Sequence, residues 1–179
     1  MKRTGNTNQT DLERELRDLH EKSFHWALSC CKWDYHEAEE VLQNCYLKVL
    51  DGRAIYNHES GIKTWFFAVI RKTSKELARK RIIRRLGLSR FSQKNPAAGE
   101  TGETDSTAGA IAALQAQYRI KAALSQLSGR QRELLELVFY QDLTIQQAAT
   151  VIGISTGSAR VHYERGKRNL RALLEPGDH

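Results

Sequence analysis

Apolar residues recur at helical spacing along most of the chain, and no segment has the two-residue alternation of a strand. Asp34 is a potential N-cap for a helix that ends at Asp51 and Gly52. This helix would bury one stripe of residues: Ala38, Val41, Leu42, Cys45 and Val49. An earlier helix is predicted to begin at a capping box formed by Thr10 and Glu13. A later one is predicted to open at Ser60 and to bury Ile62, Trp65, Phe66, Val69, Ile70 and Leu77. The fold class is therefore predicted to be all-α.

Residues 92–109 interrupt this pattern with the sequence SQKNPAAGETGETDSTAG, which holds no branched aliphatic or aromatic residue. Such a segment cannot bury itself, so we predict a flexible acidic linker. It separates two small helical domains, which we call the first unit (residues 1–91) and the second unit (residues 110–179).

The second unit carries the signals of a helix-turn-helix. Two capping-box patterns, Ser128 with Gln131 and Thr144 with Gln147, predict consecutive helix starts. The first of these helices would turn Leu134, Leu135, Val138 and Phe139 inward. Gly153 is expected to end the second in the left-handed conformation. A last helix is predicted from about Thr156 to Leu174, with Ala159, Tyr163, Gly166, Leu170 and Leu173 buried.

The outward face of the last helix mixes groups that hydrogen-bond base edges with groups that bind phosphates. Its candidate DNA-binding residues are Ser155, Thr156, Ser158, Arg160, Val161, Arg165 and Arg168. The competing interpretation is an ordinary helical hairpin with a basic face.

Charge is distributed unevenly around the net value of +7. Residues 1–52 carry seven Lys and Arg against ten Asp and Glu, whereas residues 53–94 carry twelve against two. Residues 95–118 hold three acidic and no basic residues, and residues 119–179 hold nine basic and six acidic ones. The basic block predicts a polyanionic partner, although a basic run taken alone is also typical of a solvated helix face.

Several classes of protein are disfavoured by what the sequence lacks. It contains no run of roughly 18 apolar residues and no secretory apolar segment, so we expect no membrane insertion and a cytoplasmic location. No catalytic triad, paired carboxylates, P-loop or dinucleotide motif is present, so we expect neither an enzyme nor a cofactor. Cys30, Cys31 and Cys45 form no metal-binding spacing, so no metal is expected.

Both units resemble the extracytoplasmic-function (ECF) sigma factors of the bacterial sigma-70 superfamily. LSGRQRE at 127–133, LTIQQAATVIG at 143–153 and GSARVHYERGKRNL at 157–170 look like region 4 of that family. EAEEVLQ at 37–43 and GIKTWFFAVIR at 61–71 look like region 2. The two resemblances occur in the family's order, on either side of a linker of the family's type.

The resemblance implies an RNA polymerase specificity subunit that binds core polymerase and promoter DNA and opens the duplex. The outward residues of the last helix would then contact the −35 element. The −10 element would be bound by loop residues and by the basic helix after them, namely Asn57, His58, Ser60, Lys63, Arg71, Lys72, Lys75 and Arg79. Trp65, Phe66 and Val69 are better explained as core residues.

The same resemblance implies two protein partners. Core polymerase would contact the outward face of the helix after Asp34, at Glu40, Gln43, Asn44 and Leu47. The family often has an anti-sigma factor as well, so one is a possible partner here. A free-standing helix-turn-helix regulator remains the alternative function.

Overall fold

The computed structural model describes residues 5–88, 118–120 and 122–175, and within these ranges it contains helices and no strand. The predicted linker at 92–109 lies outside the described residues, so the domain boundaries stay a prediction. No helix in the described ranges is long and apolar enough to cross a membrane.

The first two helices are α1 (Gly5–Asp18) and α2 (His20–Cys30), which are separated at Leu19. The predicted capping box at Thr10 is wrong, because α1 already begins at Gly5 and Thr10 is a helical residue. An N-cap residue must have non-helical dihedral angles for its side chain to bond the following amides. Because α1 ends at Asp18, Trp26 belongs to α2, where it is completely buried.

Helix α3 (Tyr35–Leu50) matches its prediction in detail. The Asp34 carboxylate accepts a hydrogen bond from the Glu37 amide at 2.8 Å, as expected of an N-cap. Gly52 has a φ of +68°, a conformation that glycine adopts without a steric cost. The predicted stripe of Ala38, Val41, Leu42, Cys45 and Val49 is buried throughout.

Helix α4 (Ile62–Leu88) is the longest helix among the described residues. It does not open at Ser60 as predicted, since the carbonyl of Gly61 accepts the first helical bond, from the Trp65 amide at 3.0 Å. Phe66 and Ile70 are fully buried as expected, and Phe67 is buried as well. Phe67 faces α2, where Trp26 Nε1 donates to its carbonyl oxygen at 3.0 Å.

The described part of the second unit starts with helical residues at 118–120 and 122–126, followed by α5 (Gly129–Leu135). Both halves of the capping box between Ser128 and Gln131 are present. A π-helical turn, Glu136–Tyr140, then continues from α5, with the Gln141 amide bonded to the Glu136 carbonyl. The wider turn rotates the side chains after residue 135. Leu137 is therefore buried, whereas Phe139, predicted to face inward, is 60% exposed.

Helices α6 (Ile145–Ile152) and α7 (Thr156–Leu174) form the predicted helix-turn-helix. Thr144 and Gln147 complete the second capping box, and Gly153 takes the left-handed conformation with φ of +74°. Ala148 and Ala159 are fully buried between the two helices. Of the residues predicted to be buried on α7, Ala159 and Gly166 are buried, Tyr163 and Leu170 are half-buried, and Leu173 is exposed. Leu173 lies in the penultimate position of the helix, where no described helix covers it.

The two units pack against one another through α4 with α6 and α2 with the π-helical turn. One hydrophobic cluster runs through both, from Trp26 and Phe66 to Leu134 and Leu137. The structure is therefore a closed arrangement, in which one face of α4 is covered by the second unit.

Candidate nucleic-acid interface

The exposed side of α7 brings the predicted recognition residues together. Val161, Arg165 and Arg168 follow an i, i+4, i+7 spacing and share one face, while Arg160 lies on its flank; all four are exposed. Ser155 is the N-cap of this helix, since its hydroxyl accepts from the Ser158 amide at 3.2 Å. Ser155 and Ser158 are exposed at the N-terminal end of α7, and Thr156 is half-buried there. This end offers hydroxyl and backbone donors, with cations one to three turns later.

The loop before α4 holds a second candidate surface, made of polar residues around stacked rings. Asn57 and His58 are exposed and Ser60 is half-buried. The Tyr56 ring lies between those of His58 and Trp65, with centroids 4.3 and 5.1 Å away. The Tyr56 hydroxyl donates to the Ser60 carbonyl at 2.8 Å and so fixes the loop. An aromatic shelf beside amide and imidazole groups can hold an unstacked base.

The cations predicted on α4 fall into two groups. Lys72, Lys75 and Arg79 lie at i, i+3 and i+7 and form one exposed basic stripe. This stripe is free to track phosphates. Glu76 is adjacent, and its carboxylate is bonded to Lys48 Nζ at 2.7 Å, which holds the pKa of Glu76 below its usual range.

Lys63 and Arg71 instead bind the second unit. The Arg71 guanidinium donates from Nε and Nη2 to the two carboxylate oxygens of Glu133, at 3.0 and 2.9 Å. Its Nη1 donates to the Ile152 carbonyl at 2.8 Å. Lys63 Nζ donates to the carbonyl of Gln141, and burial, together with neighbouring Lys22, lowers the pKa of Lys63. The closed arrangement thus splits the predicted −10 set.

A buried carboxylate completes the contact between the units. Glu136, in the π-helical turn, is 6% exposed, and its Oε1 lies 3.1 Å from His25 Nδ1 of α2. The His25 ring also stacks on Tyr140, with ring centroids 5.2 Å apart. Burial raises the pKa of Glu136, an effect that the bond to His25 partly offsets.

The outward face of α3 contains the residues predicted to contact polymerase. Gln43 is exposed and Leu47 is 52% exposed, so both are available to a partner. Glu40 is bonded to Arg81 of α4 at 2.6 Å, and Asn44 donates to the Glu40 carbonyl at 2.8 Å. Glu40 and Asn44 therefore already have partners within the first unit.

Comparison with known proteins shows which proteins this chain resembles. The family model for sigma-70 region 4 matches residues 117–170, which include the helix-turn-helix. The ECF RNA polymerase sigma factor SigX of Bacillus subtilis is 26% identical over 162 residues, covering 89% of this chain and 82% of SigX. The RNA polymerase sigma factor CarQ of Myxococcus xanthus is 25% identical over 137 residues, covering 76% of this chain and 74% of CarQ. The chain is thus similar to ECF sigma factors over most of its length, and its helix-turn-helix matches sigma-70 region 4.

Two solved structures share the fold of this chain. The sigma factor RpoE of Bartonella quintana, in complex with the anti-sigma factor NepR, has a TM-score of 0.69 at 24% identity, covering 94% of this chain and 99% of RpoE. CnrH, in complex with the cytosolic domain of CnrY, has a TM-score of 0.63 at 18% identity, covering 98% of this chain and 93% of CnrH.

Sequence analysis missed three residues that the structure places at these surfaces. Tyr56 escaped notice because a lone loop aromatic has no periodic signal, although its position one residue before Asn57 could have suggested it. Glu133 ends the polar part of α5 and Glu136 begins the π-helical turn, and only the packing of the two units gives them partners.

The three cysteines lie in the first unit, on α2, just after it and on α3. Burial raises the pKa of Cys31 and of Cys45 to about 11, and also raises that of Cys30. These thiols are therefore protonated at neutral pH, which disfavours reaction as thiolates. Within the described part of the chain, no group of three His, Cys, Asp or Glu side chains is arranged to hold a metal ion.

Proposed function

We propose that this chain is an ECF sigma factor, which joins core RNA polymerase, recognises a two-part promoter and promotes its melting. The observation that carries the proposal is alignment with two RNA polymerase sigma factors over most of the chain, including both units. The alternative, a free-standing helix-turn-helix regulator, would not explain the presence of the first unit. Strand opening would draw on binding energy for the unpaired strand, so the chain would have no catalytic residues.

The −35 element is assigned to the exposed side of α7. A helix that projects from a turn with its outer face free can enter the major groove, which is about 12 Å wide. Arg160, Val161 and Arg165 lie within the first ten residues of the helix, the part that reads base edges in helix-turn-helix proteins. Arg168 lies further along and is suited to a phosphate, while Ser155, Thr156 and Ser158 are suited to positioning the helix on the backbone.

The −10 element is assigned to the loop around residues 57–60 and to α4. Asn57 and His58 would hydrogen-bond an unstacked base held against the Tyr56 ring, with Ser60 and Lys63 beside them. Arg71, Lys72, Lys75 and Arg79 would follow the phosphates of the strand. In the closed arrangement only the exposed basic stripe of α4 can do so.

Core polymerase is assigned to the outward face of α3, at Glu40, Gln43, Asn44 and Leu47. An exposed leucine flanked by amide and carboxylate groups has the composition of a protein interface, with an apolar centre and a polar rim. The transcription apparatus also implies a cytoplasmic location.

An anti-sigma factor is inferred as a further partner. RpoE and CnrH, which share this fold, are each described in complex with another protein, RpoE with the anti-sigma factor NepR and CnrH with the cytosolic domain of CnrY. A partner that binds both units would hold them in the closed arrangement and cover the face of α3.

Run-off transcription tests the proposal against the alternative. Core polymerase is incubated with fragmented genomic DNA of the source organism, with and without the full chain. We expect discrete transcripts only when the chain is added. A regulator without sigma activity would bind DNA fragments in the same samples, yet core polymerase would yield no new transcript.

A further inference from the structure

The contact between the units uses cations from the first unit and oxygen acceptors from the second. Arg71 binds both carboxylate oxygens of Glu133 and the carbonyl of Ile152, and Lys63 binds the carbonyl of Gln141. The Arg71 and Glu133 side chains are only 14% and 19% exposed. Water is thus largely excluded from this ion pair, which strengthens it relative to surface pairs.

These acceptors occupy the N–H donors of Arg71 that a phosphate would use. A guanidinium binds a carboxylate and a phosphate through the same planar fork of N–H donors. In Arg71 the Nε and Nη2 donors face Glu133 and the Nη1 donor faces Ile152. A nucleic-acid strand can therefore reach Arg71 only after Glu133 and the turn after α6 have moved away.

The other cationic surfaces remain open in the closed arrangement. Lys72, Lys75 and Arg79 on α4 are exposed, as are Arg160, Arg165 and Arg168 on α7. Closure thus covers a specific part of the proposed −10 surface and leaves the recognition helix accessible. In this state the chain can bind duplex DNA through α7, but part of its proposed −10 surface is covered.

We propose that closure of the two units and binding of a nucleic-acid strand compete for Arg71 and Lys63, so that the contact between the units inhibits strand binding at the −10 surface. That the strand is promoter DNA rests on the proposed function. Because the two events exclude each other, the apparent affinity for a strand equals the intrinsic affinity multiplied by the open fraction. Weakening the contact must therefore tighten strand binding without any change at the strand-binding residues.

The test uses the full chain and a fluorescent single-stranded DNA of mixed sequence, about 20 nucleotides long, which covers one or two typical binding sites. Glu133→Gln removes the charge that holds Arg71, and Glu39→Gln on the exposed side of α3 removes the same charge elsewhere. Fluorescence anisotropy at fixed salt gives the affinities, since non-specific binding depends strongly on salt. Small-angle X-ray scattering gives the radius of gyration of each free and DNA-bound chain.

We expect Glu133→Gln to bind the strand at least about fivefold more tightly than Glu39→Gln, because a half-buried bidentate pair contributes that much to closure. Its free radius of gyration should exceed that of the wild type, and DNA should expand the wild-type chain. Equal affinities for the two variants would overturn the proposal, as would a wild-type chain that binds the DNA without expanding. Neither readout requires polymerase, so a failure of sigma activity would be recognised separately in run-off transcription.

Discussion

Trp26 of α2 donates its indole N–H to the carbonyl oxygen of Phe67 in α4, at 3.0 Å, and the two rings stack with centroids 6.0 Å apart. Both residues are fully buried. This pair joins the helix that meets the second unit to the helix that carries the proposed −10 surface. The position of α4, and with it the loop around Asn57, therefore depends on the packing of Trp26.

Replacing Trp26 with Phe should lower the free energy of unfolding by about 1–3 kcal/mol, because a buried hydrogen bond and part of a ring are lost. Urea unfolding followed by circular dichroism measures the change. Trp33→Phe is the control, since Trp33 is partly exposed and should cost less. Equal costs for both substitutions would show that Trp26 has no special part in joining α2 to α4.

The closed arrangement should weaken as pH rises, because Glu136 is buried in it. Burial raises the pKa of Glu136 above its usual value of 4.5, so closure takes up a proton at this group, and the stability that Glu136 contributes is fully present below that usual value. That stability is lost as pH rises through the higher pKa of the closed state. The groups facing Glu136 are His25 of α2 and Gln141 after the turn.

Hydrogen exchange of the amides of α2 and of Glu136–Tyr140, corrected for intrinsic rates, measures this closure between about pH 5 and pH 8. Protection should fall with pH in the wild type and fall much less in Glu136→Gln, which cannot ionise. Identical pH profiles would mean that Glu136 does not couple closure to protons.

Replacing both Gln43 and Leu47 with Ala should weaken binding to core polymerase by at least about fivefold, since the proposed interface loses an exposed apolar side chain and its polar neighbour. Ile83→Ala is the control, because Ile83 is a comparably exposed apolar residue near the end of α4. Competition for core polymerase against a labelled wild-type chain gives the affinities. Unchanged melting temperatures establish that all variants are folded, and equal competition by all of them would refute the assignment of α3.

Arg160→Ala should weaken binding to the −35 element by about 1–3 kcal/mol and relax the preference at one base pair, if Arg160 reads a base edge. Arg168→Ala is the comparison, since a phosphate contact should lower affinity to all sequences alike and reduce the salt dependence. Binding is measured on a panel of single-base variants of a promoter found by transcript mapping. A uniform loss for Arg160→Ala would reassign it to the backbone.

Much of the local structure was predictable because its causes are local. The Asp34 cap, both capping boxes of the second unit and Gly153 depend on residues within one turn, so sequence spacing alone identifies them. The start of α1 was not predictable in this way, because Gly5, Asn6, Thr7 and Asn8 have low intrinsic helix propensity and so give no signal of a helix before Thr10.

Other features depend on contacts between distant parts of the chain. The π-helical turn moves Leu137 into the core in place of Phe139, and an apolar pattern of helical period fits either choice. The engagement of Arg71 by Glu133 joins residues 62 positions apart. Sequence analysis could identify Arg71 as a cation on a basic helix, but only the packing of the two units reveals its partner.

Mapping of RNA 5′ ends tests the central claim most directly. Core polymerase transcribes genomic DNA with the wild-type chain or with Arg160→Ala, and the transcripts are sequenced from their 5′ ends. We predict start sites that appear only with the chain, that share one element near −10 and another near −35, and that are lost or reordered with Arg160→Ala. Start sites identical to those of core polymerase alone would contradict the assignment of this chain as the subunit that selects promoters.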